Sequence, residues 1–228
     1  TRTGVSAPAK YSAFPVQPEG AVNLTYSPDS TKLAFTRNND LYVVDIASGK
    51  EQRLTFDGTD LILNGYASWV YFEEILGRPS KYKAFWWSPD SRKIGFYRFD
   101  NTNVPLFPIY SAFAKDYSGD PSHPTAAPAM SQSPKVTNLG IGGSLSETRY
   151  PKCGQTNPEV RIGIVEVPSF EPGVRVKSDG SYLLQPDIVW ADFDPTVDQY
   201  FGIPFWGPDS EEFFIARMPR LQNTLDLY

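Results

Sequence analysis

Tyr26-Ser27-Pro28-Asp29-Ser30, running on into Lys32-Leu33-Ala34-Phe35-Thr36-Arg37, is the stretch that decides the fold. The pattern returns as Trp87-Ser88-Pro89-Asp90-Ser91 before Lys93-Ile94-Gly95-Phe96-Tyr97-Arg98. It returns again as Trp206-Gly207-Pro208-Asp209-Ser210 before Glu212-Phe213-Phe214-Ile215-Ala216-Arg217. Each copy reads as an aromatic residue, a small residue, Pro-Asp-Ser, an apolar run and then Arg. Proline presets φ near about −65° at the second position of a turn, and Asp and Ser side chains bond to the turn's backbone. Each copy is therefore expected to be a hairpin: a strand ending in an aromatic residue, a tight turn, and a returning strand.

Working outward, Ala21-Val22-Asn23-Leu24-Thr25 leads into the first copy. Asp40-Leu41-Tyr42-Val43-Val44-Asp45 and Gln52-Arg53-Leu54-Thr55 follow it, with turns at Asn38-Asn39 and Ser48-Gly49. Four short antiparallel strands per repeat make the blade of a β-propeller. The expected fold is thus all-β, an incomplete β-propeller of about three blades of four-stranded antiparallel sheet. The blades are expected at 21–56, at 84–190 with long insertions, and at 200–228 as a partial blade. The gap between the second and third copies could hold an unmarked blade. One blade with insertions is preferred, because Gly, Pro, Ser, Thr and Ala dominate Ser118–Ser146, a composition that buries no core. In the third copy, Asn223-Thr224-Leu225-Asp226-Leu227-Tyr228 resembles Asn39-Asp40-Leu41-Tyr42, the third strand of the first. Two or three blades cannot close a ring and hide their strand edges. Residues 1–228 are accordingly expected to be a fragment of a larger propeller, with Leu225–Tyr228 an open edge or covered by another copy.

Composition agrees. With 228 residues the chain can bury a core without metal or disulfide, and its 17 Gly and 21 Pro favour strands and turns over a helical bundle. A net charge of −5 and no basic stretch give nucleic-acid binding little support. One Cys excludes an internal disulfide framework, and one His excludes a multi-histidine metal centre, so no cofactor is expected. No apolar run reaches the roughly 18 residues of a membrane-spanning helix.

The second informative stretch is Ala67-Ser68-Trp69-Val70-Tyr71-Phe72-Glu73-Glu74-Ile75-Leu76-Gly77. Trp69, Phe72, Glu73 and Leu76 fall at helical spacing, so a short helical insertion at 66–77, ended by Gly77, is expected between two blades. Adjacent Glu73 and Glu74 repel unless a cation is shared between them or one is protonated. A primary ammonium suits them, because its three donors can engage both acids and a third acceptor. The plain alternative is that both face solvent at a helix end. Sugar hydrolysis by paired carboxylates ranks low, since adjacent residues are usually too close for its roughly 5–9 Å geometry.

Trp69-Val70-Tyr71-Phe72-Glu73-Glu74 followed by Phe85-Trp86-Trp87-Ser88-Pro89 resembles the N-terminal propeller of the dipeptidyl peptidase IV family, prolyl oligopeptidase-type (S9) serine exopeptidases. Phe99-Asp100-Asn101-Thr102-Asn103-Val104-Pro105, Tyr150-Pro151-Lys152 with Gly154, and Asn157-Pro158 extend the similarity over most of 21–228. The resemblance implies that Glu73 and Glu74 bind the free α-amino group of a peptide, fixing cleavage two residues from its N-terminus. An ammonium anchor of this kind turns a general acyl-transfer site into an exopeptidase by restricting register. Trp69 and Tyr71 are expected to pack the insertion. The resemblance further implies a periplasmic or secreted enzyme, peptide substrates with a free N-terminus, the catalytic domain of the same parent chain as partner, and a homodimer.

The family's Ser-Asp-His triad belongs to a C-terminal α/β-hydrolase domain, and nothing in this chain matches it. Gly142-Gly143-Ser144-Leu145-Ser146 ends in Ser and fails the nucleophile-elbow pattern, and it is read as loop. His123 lies in the same stretch and is read as solvated. No catalytic residue is therefore expected in 1–228, and the region alone should not be catalytic. Arg37, Arg98 and Arg217 are read as repeat-structural, so the family's carbonyl-binding Arg has no match here. Cys153 is read as a small residue near a strand start, and Asn23-Leu24-Thr25 as a glycosylation pattern inside a strand. Two other functions remain open: a non-catalytic binding scaffold of TolB type, because Pro-Asp-Ser hairpins occur there too, and an inactive peptidase relative.

Overall fold

A computed structural model of the chain describes residues 20–111, 135–138, 144–170 and 186–228. These residues form antiparallel sheets joined by turns, as the hairpin pattern predicts. The first sheet has the order β1-β2-β3-β4, from Val22–Tyr26, Lys32–Arg37, Asp40–Asp45 and Glu51–Arg53. The second is built on β7 (Lys93–Asp100), which pairs on one side with β11 (Glu159–Glu166) along its whole length. Its other side carries two short strands in line, β5 (Ile62–Asn64) and β6 (Phe85–Trp87), and β12 (Ile188–Trp190) extends the far edge.

In the third region β13 (Gln199–Phe201) and β14 (Phe205–Trp206) pair with β16 (Ala216–Pro219) and β15 (Phe213–Phe214). The last strand, β17 (Asp226–Leu227), pairs Asp226 with Arg217 and Leu227 with Ala216. Asp40 and Leu41 pair in the same register with Arg37 and Thr36. The sequence likeness of the two segments is thus a likeness of position. Both residues of β17 are exposed, as an edge strand's would be.

Two results depart from the sequence reading. Lys135–Asn138 (β9) and Ser144–Arg149 (β10) are strands of a three-stranded sheet, in which β10 lies between β9 and Leu106–Ser111 (β8) and pairs with both. Ser144-Leu145-Ser146 therefore lies in a strand rather than a loop. Tyrosine, valine and threonine among these residues suit strands, and pairing partners distant in sequence override the loop-like composition. The second departure concerns the insertion. Gly65 donates its N–H to Tyr97 C=O, while Tyr97 N–H returns to Ala84 C=O. Gly202 donates likewise to Ala216 C=O, Ala216 being the counterpart of Tyr97, and there the chain runs straight on into Ile203. The helical insertion therefore leaves and re-enters a single edge strand of one sheet, instead of bridging two blades. Its neck is closed by the Tyr66–Lys83 bridge and by Ala84 N–H donating to Gly65 C=O.

Apolar side chains from adjacent sheets make two buried layers. Ala34, Leu41 and Val43 of the first sheet meet Phe85, Ile94, Phe96 and Val165 of the second. Leu63, Tyr97, Phe99, Val160 and Ile162 meet Phe201 and Ile215, with Tyr71 of the insertion wedged among them. Gly95 is small for a reason: a Cβ there would lie 2.3 Å from the Phe213 ring. The three arginines of the repeat are held within their own regions. Arg37 forks onto Glu51 and stacks over Tyr42, Arg98 Nε donates to Asp57 at 2.8 Å, and Arg217 Nε donates to Gln199 at 2.5 Å.

The turns are locked as their residues dictate. Ser27 Oγ donates to Asp29 at 2.6 Å and accepts from Lys32 N–H at 2.9 Å, and Ser88 repeats this with Asp90 at 2.6 Å and Lys93 at 2.8 Å. Desolvation opposes ionisation of Asp29, but donors from Ser27 and Thr31 outweigh it and hold the carboxyl down to about 2, below its ordinary 3.8. A folded-state value below the unfolded one means that Asp29 contributes stability above pH 3.8 and loses it as pH falls through about 2. The group is largely solvated, so screening limits the contribution to a few tenths of a kcal/mol, roughly the surface-pair scale. Asp29→Asn is expected to flatten the fall in urea midpoint between pH 4 and pH 2 by about that amount. An unchanged slope would show that the turn carboxylate is not linked to folding.

Candidate functional site

The insertion begins as an α-turn, with Phe72 N–H donating to Ser68 C=O at 3.0 Å, and then widens. Leu76 N–H reaches Tyr71 C=O at 2.7 Å, an i→i+5 bond, and Tyr71–Ile75 form a single π-turn. Wide turns of this kind are often found at functional sites. Gly77, at φ 80°, ends the turn in a conformation open to glycine, and a 3-10 turn over Arg78–Ser80 carries the chain back.

The widened turn changes which side chain points inward. Tyr71 is 1% exposed, whereas Trp69 and Phe72 are only half-buried. The Tyr71 ring packs edge-on against Phe99 at 4.8 Å and Tyr97 at 6.3 Å, and its hydroxyl accepts the Phe201 N–H at 3.0 Å. Burial pushes the Tyr71 hydroxyl above its ordinary range, so it stays neutral. One residue thus fastens the turn to the sheets on both sides. Ser68 adds a second tie, donating to Asn101 Oδ1 at 2.8 Å. Outside, Phe72 stacks on Tyr82 at 3.8 Å, Tyr82 stacks on Tyr66 at 4.9 Å, and Trp69 lies edge-on to Phe72 and Tyr150.

Glu73 and Glu74 sit on this fastened turn in different surroundings. Arg78 holds Glu73 Oε1 through Nε at 3.0 Å and through its terminal nitrogen as well. Glu73 Oε2 is enclosed and has no hydrogen-bond donor among the described residues. Its side chain is 22% exposed, against 71% for Arg78. Glu74 is exposed and within Coulombic reach of Arg78. The hydrogen bond and charge of Glu73 raise the Arg78 guanidinium, and burial followed by the Glu73 charge pushes the Tyr82 hydroxyl up to about 12. Three charged groups therefore share one small ledge with a net charge of −1. One carboxylate oxygen is taken, one is buried and unused, and the second carboxylate lies open. A single cation with several donors would complete the set.

Arg78 was not singled out by the sequence, because it lies just past the Gly77 stop. The signal that marks it is Gly77-Arg78-Pro79, a basic residue at the start of the next turn. Cys153 is exposed. Asn23 sits at a bulge in β1 with φ 60°, its amide donating to Thr36 Oγ1 at 3.4 Å. His123 lies outside the described residues. Among the described residues, no helix is long and apolar enough to cross a membrane.

Comparison with known proteins gives the family. The model of the dipeptidyl peptidase IV (DPP IV) N-terminal region matches residues 7–228. Dipeptidyl peptidase 4 of Bos taurus is 33% identical over 177 residues, 73% of this chain and 20% of that protein. The probable dipeptidyl-aminopeptidase B of Talaromyces marneffei is 32% identical over 182 residues, 78% of this chain and 18% of that protein. The chain spans about a fifth of the length of these relatives. The crystal structure of Porphyromonas gingivalis dipeptidyl peptidase 4 superposes with a TM-score of 0.63 at 22% identity, over 91% of this chain and 23% of that one, a likeness of fold. The chain belongs to the family defined by the dipeptidyl peptidase IV N-terminal region.

Proposed function

We propose that this region gates and anchors the substrate of a serine dipeptidyl peptidase, with Glu73 and Glu74 binding the α-ammonium of a peptide so that two residues reach the scissile bond. The observation that carries the reading is Glu73 Oε2, enclosed and without a donor among the described residues, beside an exposed Glu74. An ammonium satisfies the buried oxygen, reaches Glu74 with a second N–H, and brings the ledge from −1 to neutral. Arg78 fits this scheme by occupying the other oxygen, so that one monocation is enough. The turn's attachment through Tyr71 supplies the rigidity that a register-setting anchor needs, because loss of position is costly in catalysis.

The test compares two substrates in the enzyme that carries this region: a Gly-Pro amide with a free N-terminus and the same amide acetylated on nitrogen. Free-amine turnover far above acetylated turnover supports the anchor, and equal turnover of the two sinks it. The same reading carries a periplasmic or secreted setting, a homodimer, and a catalytic domain elsewhere in the parent chain. Cell fractionation and the solution mass of the enzyme test the first two.

A further inference from the structure

Arg78 has more hydrogen-bonding capacity than Glu73 uses. A guanidinium presents its N–H donors as a rigid planar fork that matches a carboxylate. Here Nε and one terminal nitrogen both donate to the single oxygen Oε1 of Glu73, and among the described residues no other acceptor meets the group. The rest of the fork is open, and the side chain is 71% exposed. The backbone holds Arg78 in this place from both sides. Gly77 precedes it at φ 80° and ψ 148°, Pro79 follows it, and Lys81 N–H closes the turn on Arg78 C=O at 3.1 Å. A cation is thus fixed beside the two carboxylates with donors to spare.

A peptide ammonium held by Glu73 Oε2 and Glu74 has Arg78 as its neighbour across the Glu73 carboxylate. Donors on the two oxygens of one carboxylate lie roughly 4–7 Å apart. The side chain of the N-terminal residue leaves the same carbon that bears the ammonium, so a carboxylate at its end spans that distance in Asp or Glu. The charges then alternate along the ledge: Glu74, ammonium, Glu73, Arg78, side-chain carboxylate. Each has only opposite neighbours. The ammonium of an N-terminal Lys would instead approach Arg78, with Lys81 exposed on the same return turn.

We infer that Arg78 is a specificity-determining residue: the open side of its guanidinium binds the side-chain carboxylate of an N-terminal Asp or Glu, so the site prefers peptides whose first residue is acidic over those whose first residue is basic. The inference rests on Glu73 and Glu74 holding the α-ammonium. Attraction of the acidic side chain and repulsion of the basic one each amount to about threefold at a partly solvated site, or about tenfold together.

The test uses the enzyme that carries this region, with Glu-Pro, Gln-Pro and Lys-Pro amides as substrates. In the unchanged enzyme kcat/KM should fall in the order Glu, Gln, Lys, and the Glu-to-Lys ratio should shrink as salt is raised. Arg78→Gln should lower that ratio about tenfold, and Arg78→Lys, which keeps the charge and loses the fork, should lower it less. Lys81→Gln should leave it within about twofold, because an exposed charge farther off is screened. Both positions are exposed, so folding is not put at risk. Equal loss on all three amides in Arg78→Gln would make Arg78 only a holder of Glu73, and an equal shift in Lys81→Gln would make the preference a general field. Either result overturns the inference, as does a preference for Lys in the unchanged enzyme. Acetylated Glu-Pro amide keeps the two readings apart. Turnover equal to that of the free amine sinks the ammonium anchor itself, whereas a free-amine requirement with an unmoved ratio sinks only the role of Arg78.

Discussion

Replacing Glu73 by Gln is expected to lower kcat/KM for a free-amine dipeptide substrate by about 100-fold in the enzyme that carries this region. The reason lies in which oxygen is already used. Arg78 donates to Glu73 Oε1, so a glutamine there keeps its carbonyl oxygen on Arg78 and turns its NH2 into the place of Oε2. An acceptor enclosed by protein then becomes a donor facing an ammonium. Hydrogen bonds to charged groups contribute about 1.5–3 kcal/mol, and each 1.36 kcal/mol is a factor of ten. Glu74→Gln should cost less, about tenfold, because Glu74 is exposed and its attraction is screened by water and salt. Turnover of the acetylated substrate should be nearly unchanged in both variants, which separates loss of the anchor from general damage. Equal losses on both substrates would assign Glu73 to folding, and no loss on either would return the pair to solvated surface.

The hairpins were legible because Pro-Asp-Ser acts within a few residues: Ser27, Asp29 and Lys32 close their turn with no outside help. The placement of Glu73 and Glu74 side by side on a short helical insertion was legible for the same local reason. What escaped is non-local. The bonds from Trp87 to Thr25 and from Asp90 to Ser210 join positions far apart in the chain, and no periodicity announces them. The strands Lys135–Asn138 and Ser144–Arg149 were hidden by a composition typical of loops, since their stability comes from pairing rather than from their own residues. The insertion was legible in part: Trp69 and Tyr71 are expected to pack it, and Tyr71 is buried while Trp69 is half-buried. What spacing at 3.6 residues per turn does not show is the i→i+5 bond of the π-turn, which sets the inward direction of Tyr71. Leu76 is buried on either geometry.

Tyr71 therefore carries the second large effect. Tyr71→Ala removes a fully buried ring that contacts Tyr97 and Phe99, and large-to-small changes of this kind cost about 3–5 kcal/mol. Tyr71→Phe keeps the ring and removes only the acceptor of the Phe201 N–H, leaving a buried donor unsatisfied at about 1–3 kcal/mol. Both variants should unfold at lower urea, the alanine at much the lower. Activity should separate them. With phenylalanine the ring still sets the turn, and kcat/KM at a temperature where the protein is folded should stay within a few-fold of the unchanged enzyme. With alanine the turn loses its wedge between the two regions, Glu73 Oε2 is no longer held in one place, and free-amine kcat/KM should fall at least about tenfold beyond the loss of folded protein. If Tyr71→Ala is destabilised as expected but, while folded, keeps its preference for the free amine, the position of Glu73 is set by Ser68 and the Phe72–Tyr82 stack instead. The route from the core to the site would then run along the outer face of the insertion.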